Sequence, residues 1–171
     1  MKSNYIVRAR KFMKDFLPYL LKYNDNVEFA VLDYNRAKHR HVEYYHGLVR
    51  RCVCLADYAV KWDYSEYHAS VYGGCESEVI NYNFAREHGY EYLLAEITPI
   101  EIDGHVFYVM PRVKQLAIRF DEYEPDSRLS EDEYDFLYEV MGLHDMHDEN
   151  WGIVSGQVKI IDYANCRREE S

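Results

Sequence analysis

The pattern of apolar and polar positions in the first third of the chain predicts one helix followed by strands. Apolar residues recur every three or four positions across residues 5–22, which is typical of a helix with one buried face. Pro18 is expected to kink or shorten the last turn of this helix. After a turn at residues 24–26, the apolar run at 27–34 is predicted to be a strand. Three more strand-like runs follow, at residues 41–46, 48–55 and 58–64.

The middle of the chain predicts a helix and the clearest hairpin. Residues 76–88 have helical spacing, and Gly89 stands where such a helix would end. Residues 92–102 and 105–113 are predicted to be strands. Because the Asp103-Gly104 pair between them is typical of a type I′ turn, we expect the two strands to pair.

The last part of the chain predicts a capped helix and a second, short hairpin. Ser130 and the glutamate three residues later form a capping box, and Gly142 ends the helix. Residues 151–154 and 158–161 are short apolar strands, joined by a turn at 155–157. The order of all these elements lacks the strand–helix alternation of a parallel sheet, so it predicts an α+β fold.

Length and composition suit one compact cytoplasmic domain. With 171 residues and 48% hydrophobic content, the chain can bury a core. Basic residues interrupt the only candidate for a signal peptide, and no apolar stretch of about 18 residues exists to span a bilayer. We therefore expect a cytoplasmic protein that does not bind membranes.

The cysteines have no paired CxxC spacing. They are Cys52, Cys54, Cys75 and Cys166. Cys52 and Cys54 are separated by one residue of a predicted strand, so both thiols are expected on the same face. This arrangement suits reduced, packed cysteines of a cytosolic protein, and zinc binding is the second interpretation.

Charge is unevenly distributed along the chain. Residues 1–61 carry 12 basic and 6 acidic residues, whereas residues 62–150 carry 5 basic and 21 acidic residues. The net charge of −10 opposes generic binding of nucleic acid, because phosphate groups repel an acidic protein. The acidic clusters at 121–126 and 131–135 are interpreted as solvated helix starts, or alternatively as a nucleic-acid mimic or a dock for a basic partner.

The final predicted hairpin carries the main candidate site. The two ends of a hairpin are neighbours, with opposite Cα atoms roughly 4.5–5.5 Å apart. Asn150 and Asp162 would therefore present oxygen ligands at one point, where a Mg²⁺ ion carrying substrate phosphates could bind. Asp145 lies one loop earlier and could orient or deprotonate a hydroxyl nucleophile. These positions predict a phosphotransferase.

An alternative assigns the same loop to a metal phosphohydrolase of the His-Asp type. Its ligands would be His144, Asp145, His147 and Asp148. Those enzymes resemble all-helical bundles, whereas the strand at 158–161 and the turn at 103–104 require a sheet. We expect His144 and His147 to organise the loop through hydrogen bonds instead.

Five segments with candidate functional residues occur in an order that matches one superfamily. They are Tyr58-Ala59-Val60-Lys61, Cys75-Glu76-Ser77-Glu78-Val79-Ile80, Phe107-Tyr108-Val109-Met110-Pro111-Arg112-Val113, Asp145 to Asn150, and Ile160-Ile161-Asp162-Tyr163-Ala164. Across residues 41–164 the chain resembles the protein kinase-like superfamily. His147, two residues after Asp145, resembles the small-molecule phosphotransferase branch of that superfamily.

The resemblance implies a role for each candidate residue. Lys61 would hold the α- and β-phosphates of ATP. Glu78, or less favourably Glu76, would fix the ammonium group of Lys61. Asn150 and Asp162 would ligate Mg²⁺, and Asp145 would accept or orient the acceptor hydroxyl. Backbone groups of the strand end would contact adenine, at Met110, Arg112 and Val113. ATP and Mg²⁺ are thus the implied cofactors.

The resemblance also implies a domain arrangement with a reduced second half. Residues 1–40 would form an N-terminal helix and extension, residues 41–113 a kinase N-lobe-like antiparallel sheet with one intervening helix, and residues 114–171 a C-lobe. Nine residues follow Asp162 in this sequence, so the C-lobe is expected to keep only one helix and the catalytic-loop hairpin. No repeated-glycine loop precedes Lys61.

Two functions are compatible with these features. The first is ATP- and Mg²⁺-dependent transfer of the γ-phosphate to a hydroxyl acceptor, in a protein or a small molecule. The alternative is a non-catalytic kinase-like protein, of a kind that a phage or mobile element could encode, that inhibits or binds a host protein. The acidic segment at 62–150 and the 18 tyrosines favour such a contact surface.

Overall fold

The computed structural model describes residues 3–115, 129–144 and 150–166. Contacts divide the chain into two compact units. Residues up to 71 and residues 97–112 form the first unit, and residues 72–96 together with those from 113 onwards form the second. The predicted division at residues 40 and 113 stays a prediction.

The first unit is built on a five-stranded antiparallel sheet with the order β1-β2-β3-β5-β4. The strands are β1 (Glu43–His46), β2 (Arg50–Cys54), β3 (Tyr58–Asp63), β4 (Thr98–Ile102) and β5 (His105–Pro111). Two helices precede them, α1 (Ser3–Lys22) and α2 (Val27–Lys38), and the short helix α3 (Glu66–Tyr72) follows β3. An α+β class is therefore confirmed.

The core of the first unit lies between one sheet face and the two long helices. Phe12, Phe16 and Tyr34 from the helices form a buried aromatic cluster, with ring centroids 5.3–5.6 Å apart. Val60 of β3 and Val109 of β5 are buried in the same cluster, opposite each other in the sheet. Because side chains alternate along a strand, the neighbours of these valines lie on the other sheet face.

Residues 27–34 were predicted to be a strand, and this prediction was wrong. Asn26 accepts a hydrogen bond from the Phe29 backbone N–H at 3.3 Å, so it caps the start of α2. The buried positions of α2 fall at the helical spacing of one face, namely Val27, Ala30, Val31 and Tyr34. The asparagine-rich turn therefore begins a helix, and tertiary burial outweighs the strand propensity of the valines and aromatics.

The second unit contains a long helix, two short helical segments and a small sheet. Its elements are α4 (Cys75–Glu87), a 3₁₀ turn (Glu91–Leu93), β6 (Lys114–Gln115), α5 (Glu131–Asp135) continued by a π-helical turn (Phe136–Val140), β7 (Trp151–Val154) and β8 (Gln157–Ile160). The sheet is antiparallel, with the order β6-β7-β8. The predicted helices at 76–88 and after Ser130 are confirmed.

Local turn chemistry explains the two predicted hairpins, both of which are confirmed. Asp103 and Gly104 have φ angles of 48° and 80°, as a type I′ turn requires, and they join β4 to β5. Ser155 and Gly156 have φ angles of 52° and 84° and join β7 to β8. The capping box of Ser130 is also present.

Three details of the fold differ from the sequence-based expectations. Only the second half of the strand predicted at 92–102 is a strand, since its start is a 3₁₀ turn. Helix α3 was not predicted, and none of its residues is buried, so it lacks the apolar periodicity that would have revealed it. Pro18 lies inside α1, which continues for four residues beyond it. Among the helices described, none has the length and apolar character needed to cross a membrane.

Candidate functional site

The open end of the β7–β8 hairpin brings the backbones of Asn150 and Ile161 together. Trp151 and Ile160 are paired residues of the hairpin. Just outside this pair, the Ile161 N–H donates to the Asn150 carbonyl at 2.8 Å. Asp162 is the next residue and is half-buried, while the side chain of Asn150 is only 6% exposed. The turn has two residues instead of the predicted three, so Ile161 and not Asp162 lies opposite Asn150, and the magnesium role of the two side chains stays a prediction.

Helix α4 presents two buried polar residues to the segment that follows β8. Glu78 is 0% exposed and Asn81 is 3% exposed, and their spacing places them one turn apart on the same helix face. The Asn81 Nδ2 donates to the Tyr163 carbonyl at 2.7 Å and to the Ala164 carbonyl at 3.4 Å. The helix that carries Glu78 is therefore hydrogen-bonded directly to the residues after Asp162.

Tyr163 anchors the same segment from the other side. Its side chain is fully buried, and its hydroxyl donates to the Ala95 carbonyl. Burial raises the pKa of Tyr163 well above its ordinary value, and the negative charges of Glu78 and Asp162 raise that pKa further. Tyr163 thus lies within electrostatic range of both Glu78 and Asp162.

A glycine before α4 completes the packing around this segment. Gly73 has a φ of +79°, and a Cβ added to it would lie 2.6 Å from the Ala164 carbonyl oxygen. That approach is closer than any side chain allows, so only glycine fits. Three separate groups, at Gly73, Asn81 and Ala95, therefore contact Tyr163 and Ala164. We call residues 162–164 the Asp162 segment.

Sequence reasoning did not find the contacts that fix the Asp162 segment. Gly73 was interpreted only as a break before a helix, and Asn81 was not singled out. An asparagine one turn after a candidate glutamate, on the buried face of a helix, was the available signal. Because Asn81 and Tyr163 are 82 residues apart in sequence, no local pattern connects them.

In the first unit, Lys61 lies in the middle of the sheet. Its Cα partners are Cys52 on β2 and Tyr108 on β5, and it follows the buried Val60, so it lies on the face opposite the core. Ala59, two residues earlier, is on the same face as Lys61 and is paired with Met110. The register therefore brings Lys61, Ala59 and Met110 to one sheet face.

The strand end assigned to adenine is already engaged within the first unit. The Arg112 backbone N–H donates to the Asp57 carbonyl at 3.0 Å. Its guanidinium donates to the Leu55 carbonyl at 3.0 Å and to the Glu43 carboxylate at 2.7 Å. Of the backbone donors predicted to contact adenine, the Arg112 amide is therefore occupied by the protein itself. Val113, the first residue of the second unit after this strand, is half-buried.

Some predicted site residues are not placed by these observations. Asp145 and His147 lie outside the described residues. Lys61 belongs to the first unit and Glu78 to the second, so their predicted ion pair stays a prediction. Within the described ranges, no three His, Cys, Asp or Glu side chains are grouped as a metal site would require. The predicted magnesium site has only two protein ligands, Asn150 and Asp162, so it is smaller than such a group.

Comparisons with protein-family models, with curated proteins and with solved structures gave no match. The resemblance to the kinase-like superfamily therefore depends on the residues and the order of elements in this chain.

Proposed function

We propose that this protein is an ATP- and Mg²⁺-dependent phosphotransferase of kinase-like fold that acts in the cytoplasm. It would transfer the γ-phosphate of ATP to a hydroxyl acceptor. The observation that supports this proposal is the pair of contacts on either side of Asp162. Ile161, just before it, is hydrogen-bonded to Asn150, and Tyr163, just after it, is hydrogen-bonded to Asn81 on the helix of Glu78.

The chemistry of phosphoryl transfer matches what these residues offer. Such transfer depends mainly on positioning and on neutralising charge, with little covalent work for the protein. The Asn150 amide oxygen and the Asp162 carboxylate are hard oxygen ligands, which Mg²⁺ prefers. Three groups hold Tyr163 and Ala164, so the backbone directly after Asp162 is fixed before any nucleotide binds. A fixed backbone at this point supports the assignment of Asp162 as a metal ligand.

The proposal gives the buried carboxylate of Glu78 a purpose. A carboxylate that is fully buried is costly unless positive charge or hydrogen bonds compensate it. In the proposed enzyme, Glu78 orients the Lys61 ammonium group, which binds the α- and β-phosphates. Asp145 accepts the proton of the acceptor hydroxyl or orients that group.

The sheet face around Lys61 supplies surface for the base. Ala59 and Met110 are apolar neighbours across β3 and β5, and both are buried. A flat apolar surface next to a lysine is what an adenine ring and its phosphates require. The first unit has an antiparallel sheet, and α4 lies between β3 and β4 of that sheet in the sequence. This order of elements supports a kinase-like arrangement.

A labelled-ATP transfer assay tests the proposal. Purified protein with Mg²⁺ is offered itself, a panel of proteins and a panel of small hydroxyl compounds as acceptors. Asp162→Asn removes one charge from the proposed metal site and should lower transfer by about 10² or more. The matched control is Asp103→Asn, the same chemical change in the β4–β5 turn, which should leave transfer unchanged.

Nucleotide binding is measured separately by thermal unfolding. ATP with Mg²⁺ should raise the unfolding temperature of the wild-type protein, and Asp162→Asn should reduce the increase that depends on Mg²⁺. Equal transfer by wild type and Asp162→Asn would contradict the assignment. Nucleotide binding without transfer to any acceptor would favour the alternative, a kinase-like protein that acts by contact.

A further inference from the structure

Two thiols lie side by side on strand β2. The Sγ atoms of Cys52 and Cys54 are 3.8 Å apart, and neither residue is in a disulfide. Cys54 is 8% exposed, whereas Cys52 is half-buried, so the pair can be approached from the Cys52 side. Both belong to the sheet face that carries Lys61, because Cys52 is the cross-strand partner of that lysine.

The strand geometry disfavours a disulfide between these thiols. Residues two apart on a strand have Cα atoms about 6.6 Å apart, from a rise of about 3.3 Å per residue. That spacing is at the upper end of the range for disulfides, which usually have Cα atoms about 5.5–6 Å apart. Forming the bond would require the strand to contract in the middle of the sheet.

The same geometry suits two bonds to a single metal ion. Zinc–thiolate bonds of about 2.3 Å at a tetrahedral angle place their two sulfurs about 3.8 Å apart. The observed Sγ–Sγ distance is 3.8 Å, so both thiolates could bind one ion without movement of the backbone. The two cysteines are therefore positioned to act as two ligands of one metal ion.

The charged neighbours of the thiol pair partly neutralise each other. Glu43 is the cross-strand partner of Cys54, and it pairs with Arg112 at 2.7 Å, which limits the positive charge that an incoming cation meets.

We propose that Cys52 and Cys54 form a two-thiolate binding site for a thiophilic d¹⁰ cation of the zinc and cadmium class. Among the described residues, no third His, Cys, Asp or Glu completes a metal-binding group. In this proposal, water or a small ligand fills the other coordination positions, and the ion exchanges more readily than one in a closed structural site. This site does not require the proposed phosphotransferase function, although it shares the sheet face of Lys61 and Ala59.

Cadmium binding to the reduced full-length protein tests the proposal. Cd²⁺ is titrated without oxygen, and thiolate-to-metal charge-transfer absorption and native mass spectrometry report binding. We expect one Cd²⁺ per chain in the wild type and roughly tenfold or greater weakening in Cys52→Ser and Cys54→Ser. Cys166→Ser is the matched control, since Cys166 is also half-buried but lies in the second unit.

Two further measurements keep the test decisive. If Cys54→Ser fails to fold by circular dichroism, Cys52→Ser alone is compared with the wild type, together with phenylarsine oxide, which bridges two adjacent thiols. One bridged arsenical in the wild type and none in Cys52→Ser would support the site. Equal cadmium affinity in wild type and Cys52→Ser, or a Cys52–Cys54 disulfide that persists in reduced glutathione, would overturn it.

Discussion

The hydrogen bond from Asn81 to the Asp162 segment gives the sharpest test of the structure. Asn81→Ala removes a donor whose Nδ2 lies 2.7 Å from the Tyr163 carbonyl and 3.4 Å from the Ala164 carbonyl. Asn81 is 3% exposed, so water does not readily replace the lost donor. The variant therefore leaves at least one carbonyl buried without this partner.

The expected loss of stability follows from that buried carbonyl. An unsatisfied buried acceptor costs about 1–3 kcal/mol. Alanine is the better helix former by roughly 0.5 kcal/mol, which offsets a small part of this loss. We expect Asn81→Ala to lower the free energy of unfolding by about 2 kcal/mol, or the melting temperature by about 4–8 °C for a chain of this size.

The assay has to report on the second unit specifically. Trp62 belongs to the first unit and Trp151 to the second, where it is buried. In a Trp62→Phe background, tryptophan fluorescence during urea unfolding follows Trp151 alone. The matched control is Asn83→Ala, the same substitution two positions along α4, where the side chain is half-buried and lies on another face.

The comparison of the two asparagine variants decides the outcome. Since both substitutions gain the same helix propensity, the difference between them isolates the hydrogen bonds of Asn81. Asn81→Asp adds a further check, because it keeps the size, loses the donor and places a second carboxylate one turn from Glu78. Asn81→Ala and Asn83→Ala with unfolding free energies within about 0.5 kcal/mol of each other would refute the structural argument.

Two other predictions concern a glycine and an ion pair. Gly73→Ala should destabilise the protein more than Gly89→Ala. Both glycines have a positive φ, which costs about 1–2 kcal/mol for alanine, but only at Gly73 would the new Cβ meet the Ala164 carbonyl. Equal urea midpoints for the two variants would contradict this prediction. The hydrogen bond from Arg112 lowers the pKa of Glu43, so the stability that the pair contributes should be present above about pH 4.5 and be lost as pH falls through the folded-state pKa. Glu43→Gln should therefore have a lower urea midpoint than wild type at pH 7 and approach it in acid; a constant difference at all pH values would count against the pair.

The parts of the fold that depend on local chemistry could be predicted from the sequence. Asp103-Gly104 fixes its turn through the φ angles that glycine and aspartate tolerate, and the register of β4 and β5 follows from that turn. The meeting of the two ends of the β7–β8 hairpin was also predictable, but its register was not. A three-residue turn at 155–157 was predicted, which would place Asp162 opposite Asn150, whereas the turn has two residues and places Ile161 there.

The helix α2 could not be assigned from its apolar residues alone. Val27, Val31 and Tyr34 suit a strand by propensity and a helix by spacing, and short apolar runs do not separate the two. The packing of α2 against α1 decides the matter, because Tyr34 contacts Phe12 and Phe16 in the core. That information is carried by residues far away in sequence.

The supports of the candidate site were likewise hidden from the sequence. Asp162 and Asn150 could be proposed as ligands because they flank one hairpin. The contacts that hold the two residues after Asp162 come from Gly73, Asn81 and Ala95, in a loop, a helix and a turn that no short motif links to them. Only the folded backbone reveals that a carbonyl of the Asp162 segment needs a buried donor at that point.

The spacing of Glu78 and Asn81 has a mechanical consequence for the proposed enzyme. Both side chains project from one face of a single helix, so α4 cannot slide or rotate without moving the two together. Movement of α4 away from the Asp162 segment would break the Asn81 hydrogen bonds. The Tyr163 and Ala164 carbonyls would then be buried without this donor. The position of α4 is thus coupled to that of Tyr163 and Ala164 by about the same free energy that Asn81→Ala is expected to remove. In the proposed enzyme, this linkage would connect the helix of Glu78 to the residues after Asp162 within the second unit itself, before substrate binds.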